Sequence, residues 1–211
     1  MQILSHRGYW KNIEEKNSLR SFERSFMNLY GLETDLRDRG GGIVLSHDMA
    51  NENCLGLDNL FKLYKKYNTN LPLALNIKAD GLQIPLKQLI QKYEITNYFV
   101  FDMSIPDALV YIDLNFNVFT RQSEYEKEPS FYGKACGIWM DEFHSHWIDK
   151  NIIKKHIDNG KSLCIVSPEL HKRSYEKEWQ EYKQIEKELQ IQDKLMICTD
   201  YPDKAKEFFN D

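Results

Sequence analysis

The sequence alternates short apolar runs with helical segments, and this alternation is the feature that most constrains its fold. Segments with apolar residues three or four apart, such as NSLRSFERSFMNLY (17–30), are typical of amphipathic helices. Between such segments lie eight runs with the length and composition of buried strands: QILS (2–5), LETDL (32–36), LALNI (73–77), YFVFD (98–102), NVFT (117–120), GIWM (137–140), SLCIV (162–166) and LMICT (195–199). Several are apolar throughout, which is typical of parallel strands covered on both faces.

Eight strand–helix steps predict an α/β fold, a (β/α)8 TIM barrel, formed as a single catalytic domain over residues 1–211. An open doubly wound sheet is the alternative fold. That fold typically has a glycine-rich phosphate-binding loop after its first strand, and HRGYW (6–10) is not such a loop. The stretch GGGIVLSHD (40–48) interrupts the alternation. We interpret it as a turn and a returning strand that carries His47 to the mouth of the barrel.

Composition narrows the classes of partner. The formal net charge is −4 and no stripe of lysine and arginine is present, so we do not expect nucleic acid to bind. The four cysteines are widely spaced with no zinc-type pairing, and Cys164 and Cys198 lie in apolar runs typical of buried thiols. No apolar stretch is long enough to predict a transmembrane segment. We therefore expect a soluble, cytoplasmic protein.

Polar residues collect at the same end of nearly every predicted strand. In a (β/α)8 barrel the active site lies at the carboxyl ends of the strands, so polar residues at these ends are candidates for the active site. The residues at or just beyond these ends are His6, Arg7, Glu33, Asp35, Asn76, Lys78, Asp102, Arg121, Asp141, Glu142, Ser167, Glu169, Thr199 and Asp200.

Glu33 and Asp35 form the most informative pair. They stand two apart on one strand, so both side chains project to the same side. Two inward carboxylates are costly to bury unless a cation or protons neutralise them, and an all-oxygen set suits a hard cation such as Mg²⁺ or Ca²⁺. The structural alternative is a solvated pair at the strand end, partnered by Arg37 or Arg39.

His6, His47 and Arg7 suggest the chemistry of a phosphate ester. A lone histidine at a strand end is more often a hydrogen-bonded structural residue. Two histidines can instead exchange protons near neutral pH, one as base and one as acid. The planar guanidinium of Arg7 matches phosphate oxygens. Together with a metal, these groups could neutralise charge, activate an oxygen and protonate a leaving alkoxide.

A second histidine pair, His144 and His146, stands in EFHSHW (142–147). Spacing of i, i+2 can form a metal site, but the surrounding sequence offers no third ligand. We therefore expect both histidines in a surface loop that follows a strand.

Residues 3–48 resemble the N-terminal signature of the glycerophosphodiester phosphodiesterase family, whose members are TIM barrels. The shared elements are His-Arg-Gly after the first strand, a helix start at Asn17-Ser18, Glu-x-Asp on the second strand and a later His-Asp. ICTDYPDKAKEFF (197–209) is similar to the closing strand, Thr-Asp-x-Pro and helix of the family.

The resemblance implies a role for each matching residue. His6 and His47 would be the catalytic acid/base pair, and Arg7 would contact phosphate together with Lys78. Glu33 and Asp35 would bind one divalent cation, Mg²⁺ or Ca²⁺.

The third metal ligand departs from the family pattern. That ligand is usually a glutamate in Glu-x-Lys, and here Asn76 takes its place while Lys78 is retained. An amide oxygen can ligate Mg²⁺ or Ca²⁺, although it brings no charge. The related phosphoinositide-specific phospholipases are similar in using an asparagine ligand. Asp102 or Glu169 could supply the missing charge.

A second departure concerns length. Family enzymes commonly carry a small insertion after the second strand, whereas only 28 residues separate His47 from Asn76 here. We expect a more open pocket, in which a preference for glycerol-containing diesters need not hold.

The leading hypothesis is a metal-dependent phosphodiesterase that hydrolyses a glycerophosphodiester-like or other small phosphodiester. Its nucleophile is either water or a neighbouring hydroxyl of the substrate. The alternative is a phosphate or sugar-phosphate binding protein on the same barrel with weakened catalysis, an idea motivated by Asn76. A third class is another metal-assisted barrel enzyme, a sugar isomerase or an amidohydrolase. Amidohydrolases usually carry His-x-His on the first strand, and SHRG (5–8) lacks it.

Overall fold

The computed structural model describes residues 1–67 and 69–210. Within them the strands are β1 (Gln2–His6), β2 (Gly31–Arg39), β3 (Gly42–Leu45), β4 (Leu55–Gly56), β5 (Leu73–Ile77), β6 (Tyr98–Phe101), β7 (Phe119–Gln122), β8 (Gly137–Met140), β9 (Ser162–Val166) and β10 (Leu195–Thr199). The α-helices are α1 (Leu19–Met27), α2 (Leu57–Lys66), α3 (Gln83–Lys92), α4 (Ile105–Asp113), α5 (Lys150–Asp158), α6 (Glu176–Leu189) and α7 (Pro202–Asn210).

The predicted alternation of strands and helices is confirmed. All eight predicted strands form, as β1, β2 and β5 to β10. Each is followed by a helix or a helical turn, except β2, which is followed by β3 and β4 before α2, and β7, after which the next element is β8. The bounds of β2 and β7 differ most from the prediction, and the other strands agree within one residue. β2 runs to Arg39 because its polar end pairs with the next strand, and β7 begins two residues later than expected.

The chain divides into two compact units: the N-terminal unit, Ser5–Asn117, and the C-terminal unit, Met1–Leu4 with Val118–Asp211. In the N-terminal unit β2 is the central strand. It pairs in parallel with β5, which pairs in parallel with β6. The last residues of β2, from Leu36 to Arg39, pair antiparallel with β3. β3 in turn pairs antiparallel with β4. The predicted turn and returning strand before His47 is therefore confirmed.

In the C-terminal unit β7, β8, β9 and β10 pair in parallel in this order. Gly137 begins β8 where the strands pack tightly. A Cβ on Gly137 would lie 2.3 Å from the ring of Phe119 and 2.6 Å from Ser162 O, so only glycine fits there.

The strands owe their burial to their apolar sequences. Every residue of β5 and of β10 is buried, in agreement with strands covered on both faces. Phe22 and Phe26 are the buried face of α1, as their spacing predicts. Cys164 and Cys198 are buried, as expected.

The start of helix α1 is tied to the segment that follows β1. Ser18 is its N-cap and accepts a hydrogen bond from the Ser21 backbone N–H at 3.3 Å. The Ser21 hydroxyl in turn donates to the Arg7 carbonyl at 3.3 Å. The cap thus ties the start of α1 to the segment that follows β1.

Among the described residues, the helices are too short or too polar to cross a lipid bilayer.

Candidate metal and phosphate site in the N-terminal unit

Glu33 and Asp35 lie on one face of β2, in the part of the strand that is buried on both faces. Their residues are 1% and 0% exposed. Burial, followed by the negative charge of Asp35, raises the pKa of Glu33 to about 8, while the positive charges of Arg7 and Lys78 act in the opposite direction. The pair therefore carries a large desolvation cost, which a bound cation would offset.

Asp35 and Asn76 are register partners on the parallel strands β2 and β5. Asp35 Oδ1 and Asn76 Oδ1 are both buried, and neither accepts a hydrogen bond among the described residues. Buried oxygen atoms without donors are uncommon, and a bound ion is one of the ordinary explanations. These two orphaned oxygens, together with Glu33, fit a divalent cation.

Arg7 places its guanidinium against Asp35, with Nε 2.8 Å from Asp35 Oδ2. Its backbone has a left-handed φ of 56°. Hydrogen bonds hold this conformation: Arg7 N–H donates to Glu33 O at 3.0 Å, and Asn17 N–H donates to Arg7 O at 3.0 Å. The arginine beside Asp35 is therefore Arg7 and not Arg37, which donates to His47 O at 3.2 Å.

Gly8 makes the turn after Arg7 possible. Its φ is +88°, and a Cβ there would lie 2.4 Å from Ser21 Oγ. Both the backbone conformation and the contact with α1 exclude a side chain. The glycine of the His-Arg-Gly motif thus allows the chain to leave β1 directly over the start of α1.

Asn17 is a site residue whose role the sequence did not predict. It marks a helix start in the motif, but its side chain reaches Asp35: Nδ2 donates to Asp35 Oδ2 at 3.0 Å. Its Oδ1 accepts from Thr34 Oγ1 at 2.8 Å, which fixes the orientation of the amide. In the sequence, Asn17 stands directly before the N-cap Ser18. An asparagine at such a position ordinarily hydrogen-bonds to the nearby backbone, so its contact with Asp35 was not expected.

Lys78 follows β5 and lies between two carboxylates. Its Nζ is 3.7 Å from Asp35 Oδ1 and 3.7 Å from Asp102 Oδ2. Asp102 is thus linked to Asp35 through Lys78. Glu169, the other acid that could add charge, belongs to the C-terminal unit, where it accepts from the hydroxyls of Ser167 and Thr199.

The two candidate acid/base histidines differ in their surroundings. The His6 side chain is 15% exposed, and its Nε2 lies 3.9 Å from Glu33 Oε2. The His47 side chain is 48% exposed, and its Nδ1 lies 2.9 Å from Asp48 Oδ1. His47 and Arg7 line one cavity of about 580 Å³. His47 and Arg7 are therefore connected through this shared cavity. Direct contacts or register pairing connect the remaining predicted site residues: His6, Arg7, Glu33, Asp35, Asn76 and Lys78.

The structure confirms one expectation for the EFHSHW segment and corrects another. His144 is exposed, as expected. His146 is exposed as well, but it does have further ligand groups beside it, because Nδ1 lies 3.0 Å from Glu142 Oε1 and 3.8 Å from Glu178 Oε2. Glu178 lies on α6, far along the chain, so the local sequence could not reveal it.

No protein-family model matches the chain, and no curated protein sequence matches it either. Its structure is similar to solved ones over its full length. The first is a candidate glycerophosphodiester phosphodiesterase from Galdieria sulphuraria, 22% identical with a TM-score of 0.80, which covers 100% of this chain and 98% of the other.

Two further structures show the same similarity. The glycerophosphodiester phosphodiesterase from Agrobacterium tumefaciens is 12% identical, with a TM-score of 0.72 and 100% coverage of both chains. The Oleispira antarctica phosphodiesterase, solved with its product sn-glycerol-3-phosphate, is 14% identical with a TM-score of 0.71 and covers 100% of this chain and 97% of its own. The chain therefore has the (β/α)8 barrel fold of the glycerophosphodiester phosphodiesterase structures, as its sequence predicts, and not an open doubly wound sheet.

Proposed function

We propose that this protein is a metal-dependent phosphodiesterase that hydrolyses a small phosphodiester of the glycerophosphodiester type. The observation that carries the proposal is the surroundings of Asp35. This buried carboxylate has Arg7 Nε at 2.8 Å and Lys78 Nζ at 3.7 Å. Its register partner Asn76 has a buried side-chain oxygen that accepts no hydrogen bond within the described part of the chain. The oxygen atoms of Asp35 and Asn76 suit a divalent metal ion. The positively charged side chains of Arg7 and Lys78 suit a phosphate.

Glu33, Asp35 and Asn76 would hold the cation. All three offer oxygen and none offers sulfur or nitrogen, which favours Mg²⁺ or Ca²⁺ over softer metals. When bound, such an ion neutralises phosphate charge and lowers the pKa of an attacking hydroxyl or water.

Arg7 and Lys78 would bind the phosphate oxygens. Arg7 places its Nε 2.8 Å from Asp35 Oδ2, and a planar guanidinium group matches two phosphate oxygens. Lys78, held between Asp35 and Asp102, adds a compact charge at the same strand end. Both residues would stabilise the charge that builds up on the phosphoryl oxygens in the transition state.

His6 and His47 would move the protons. His6 lies beside Glu33, with Nε2 3.9 Å from Glu33 Oε2. His47 pairs its Nδ1 with Asp48, which leaves Nε2 for proton exchange. One histidine would take the proton of the nucleophile, and the other would give a proton to the departing alkoxide.

The substrate class is supported by the fold neighbours. The Oleispira antarctica enzyme is described with sn-glycerol-3-phosphate as its product. Glycerophosphodiesters are therefore the first substrates to test here. The cavity lined by Arg7 and His47 measures about 580 Å³, which is ample for a glycerol phosphate group.

A panel of diesters tests the proposal. We expect the purified protein with Mg²⁺ or Ca²⁺ to cleave glycerophosphocholine or glycerophosphoethanolamine, EDTA to abolish turnover, and either cation to restore it. Detection of a cyclic phosphate by phosphorus NMR would assign a substrate hydroxyl as the nucleophile, and its absence throughout turnover would assign water.

The second candidate function is a phosphate-binding protein with weakened catalysis. It is favoured by Asn76, which supplies an oxygen without the charge of a carboxylate. Binding of glycerol phosphate by calorimetry, without turnover of glycerophosphodiesters and bis(p-nitrophenyl) phosphate under either cation, would favour this function over the enzyme.

A further inference from the structure

A second group of ligand atoms lies in the C-terminal unit, at a place the proposed function does not use. Its anchor is Glu142, which follows β8 and is fully buried. Glu142 Oε1 accepts from the backbone N–H groups of Trp147 at 2.7 Å and Ile148 at 2.8 Å. Its Oε2 accepts from Tyr182 Oη–H at 2.8 Å. These donors fix the position of the carboxylate.

His146 turns one ring nitrogen inward and the other outward. Nδ1 lies 3.0 Å from Glu142 Oε1 and 3.8 Å from Glu178 Oε2. Nε2 lies 3.0 Å from Glu181 Oε2. A neutral imidazole that donates Nε2–H to Glu181 presents the lone pair of Nδ1 to the two inner carboxylates. A carboxylate on the outer nitrogen is the usual support of a metal-binding histidine.

Glu178 supplies the independent observation. This residue, in the first turn of α6, is only 9% exposed. Its Oε1 accepts from Arg173, but its Oε2 is buried and accepts no hydrogen bond among the described residues. This unpaired oxygen belongs to the group formed with Glu142 and His146, whose three ligand atoms all lie within 4.8 Å of one another.

The charges around this group do not balance. Glu142, Glu178 and Glu181 contribute three negative charges, and Arg173 contributes one positive charge, so two negative charges remain when His146 is neutral. Buried carboxylates this close need a proton or a cation between them.

We propose that Glu142 Oε1, His146 Nδ1 and Glu178 Oε2 form a binding site for a divalent transition metal such as Zn²⁺. Zinc bonds of about 2.0–2.2 Å in a tetrahedral site separate the ligand atoms by roughly 3.3 Å. The observed separations of 3.0 and 3.8 Å from Nδ1 bracket this value. One imidazole and two carboxylates suit zinc, whereas the all-oxygen set around Asp35 suits Mg²⁺ or Ca²⁺.

The competing explanation is an ion-pair network in which His146 is an imidazolium. In that case both ring nitrogens donate, and the group has no affinity for a metal. The proposed zinc site is independent of phosphodiesterase activity, and its test needs a readout of binding rather than of turnover.

Calorimetric titration of ZnCl2 into EDTA-treated, desalted, full-length protein provides that readout. Asp35→Asn is used as the background, because it removes the charge of the other candidate metal site. We expect the background protein to bind one equivalent of Zn²⁺ and the added His146→Ala to lose it. The matched His144→Ala should retain the equivalent, because His144 is exposed two residues away. Thermal unfolding confirms that each variant is folded.

A milder variant tests the same site without touching a buried group. Glu181 is 42% exposed at its side chain, so Glu181→Ala should fold normally. We expect it to weaken Zn²⁺ binding about 10- to 100-fold by removing the carboxylate on Nε2. Glu188→Ala, at an exposed carboxylate of the same helix, should leave the affinity unchanged. The proposal is overturned if the background protein binds no Zn²⁺, or if His146→Ala and Glu181→Ala both leave binding unaltered.

Discussion

Asp35 and Asn76 are register partners on two parallel strands, and each buries a side-chain oxygen that accepts no hydrogen bond from any residue that the structure describes. Folding thus places two unsatisfied acceptors side by side, at a cost in stability that a cation would offset. Arg7 and Lys78 lie beside the same carboxylate. The site therefore combines oxygen atoms that suit a cation with positive charges that suit an anion.

Asn76→Asp should make folding more dependent on the cation. The substitution keeps the shape and adds a negative charge next to Asp35, so we expect the metal-free protein to lose about 1–3 kcal/mol in its free energy of unfolding. Saturating Mg²⁺ or Ca²⁺ should recover the loss, because a third charged ligand strengthens cation binding. Urea unfolding with EDTA and with each cation measures both effects.

The matched control is Asn151→Asp, at an exposed position in the first turn of α5. It should change stability by no more than about 0.5 kcal/mol, with or without cation. If Asn76→Asp behaves like this control, Asn76 is not a ligand of the ion.

His6→Ala and His47→Ala should each lower phosphodiester hydrolysis by about 100-fold or more, because each removes a proton carrier. The loss should fall on kcat, and both proteins should remain folded. His144→Ala is the control, since His144 is also exposed but lies in the C-terminal unit. Full activity in either of the first two variants would remove that histidine from the mechanism.

The stability of the metal-free protein should fall as pH rises from about 5 to 8. The pKa of Glu33 is raised from 4.5 to about 8 by burial and by Asp35, so in this range the folded protein holds a proton that the unfolded chain has released. The free energy of unfolding then decreases with pH, by at most about 1.4 kcal/mol per pH unit for one group.

Glu33→Gln should flatten this pH dependence in part. Glu178 titrates in the same direction, so the informative quantity is the difference between the two proteins in urea unfolding with EDTA. Saturating cation should reduce the slope in the wild-type protein, because the ion replaces the proton. An identical slope in both metal-free proteins would show that Glu33 is ionised throughout.

Gly8→Ala should destabilise the protein by about 3 kcal/mol, from a strained φ of +88° together with a contact of 2.4 Å to Ser21 Oγ. Gly41→Ala separates the two causes. Its φ is +81°, but no atom of the described residues lies within 4 Å of the added Cβ, so we expect only the strain of about 1–2 kcal/mol. Equal losses in chemical denaturation would mean that α1 moves aside at Gly8.

Much of the site was predictable because its residues follow strands. The ends of β1, β2 and β5 are recognisable as apolar runs, and the period of two residues along a strand puts Glu33 and Asp35 on one face. Less predictable was the partner of these acids. Arg37 and Arg39 are near in sequence, yet Arg7 contacts Asp35, because β1 lies beside β2 and its last residues turn over it.

The sequence by itself determined the order and type of the secondary structure elements, since apolar periodicity is a local property of the chain. It also determined which residues stand at strand ends. Only the tertiary structure decided which polar atoms remain without donors and which distant groups meet. Asn17, just before α1, reaches Asp35 on β2, and Glu178 on α6 reaches His146 in the loop after β8. Such contacts depend on side-chain direction across elements, and no local pattern encodes it.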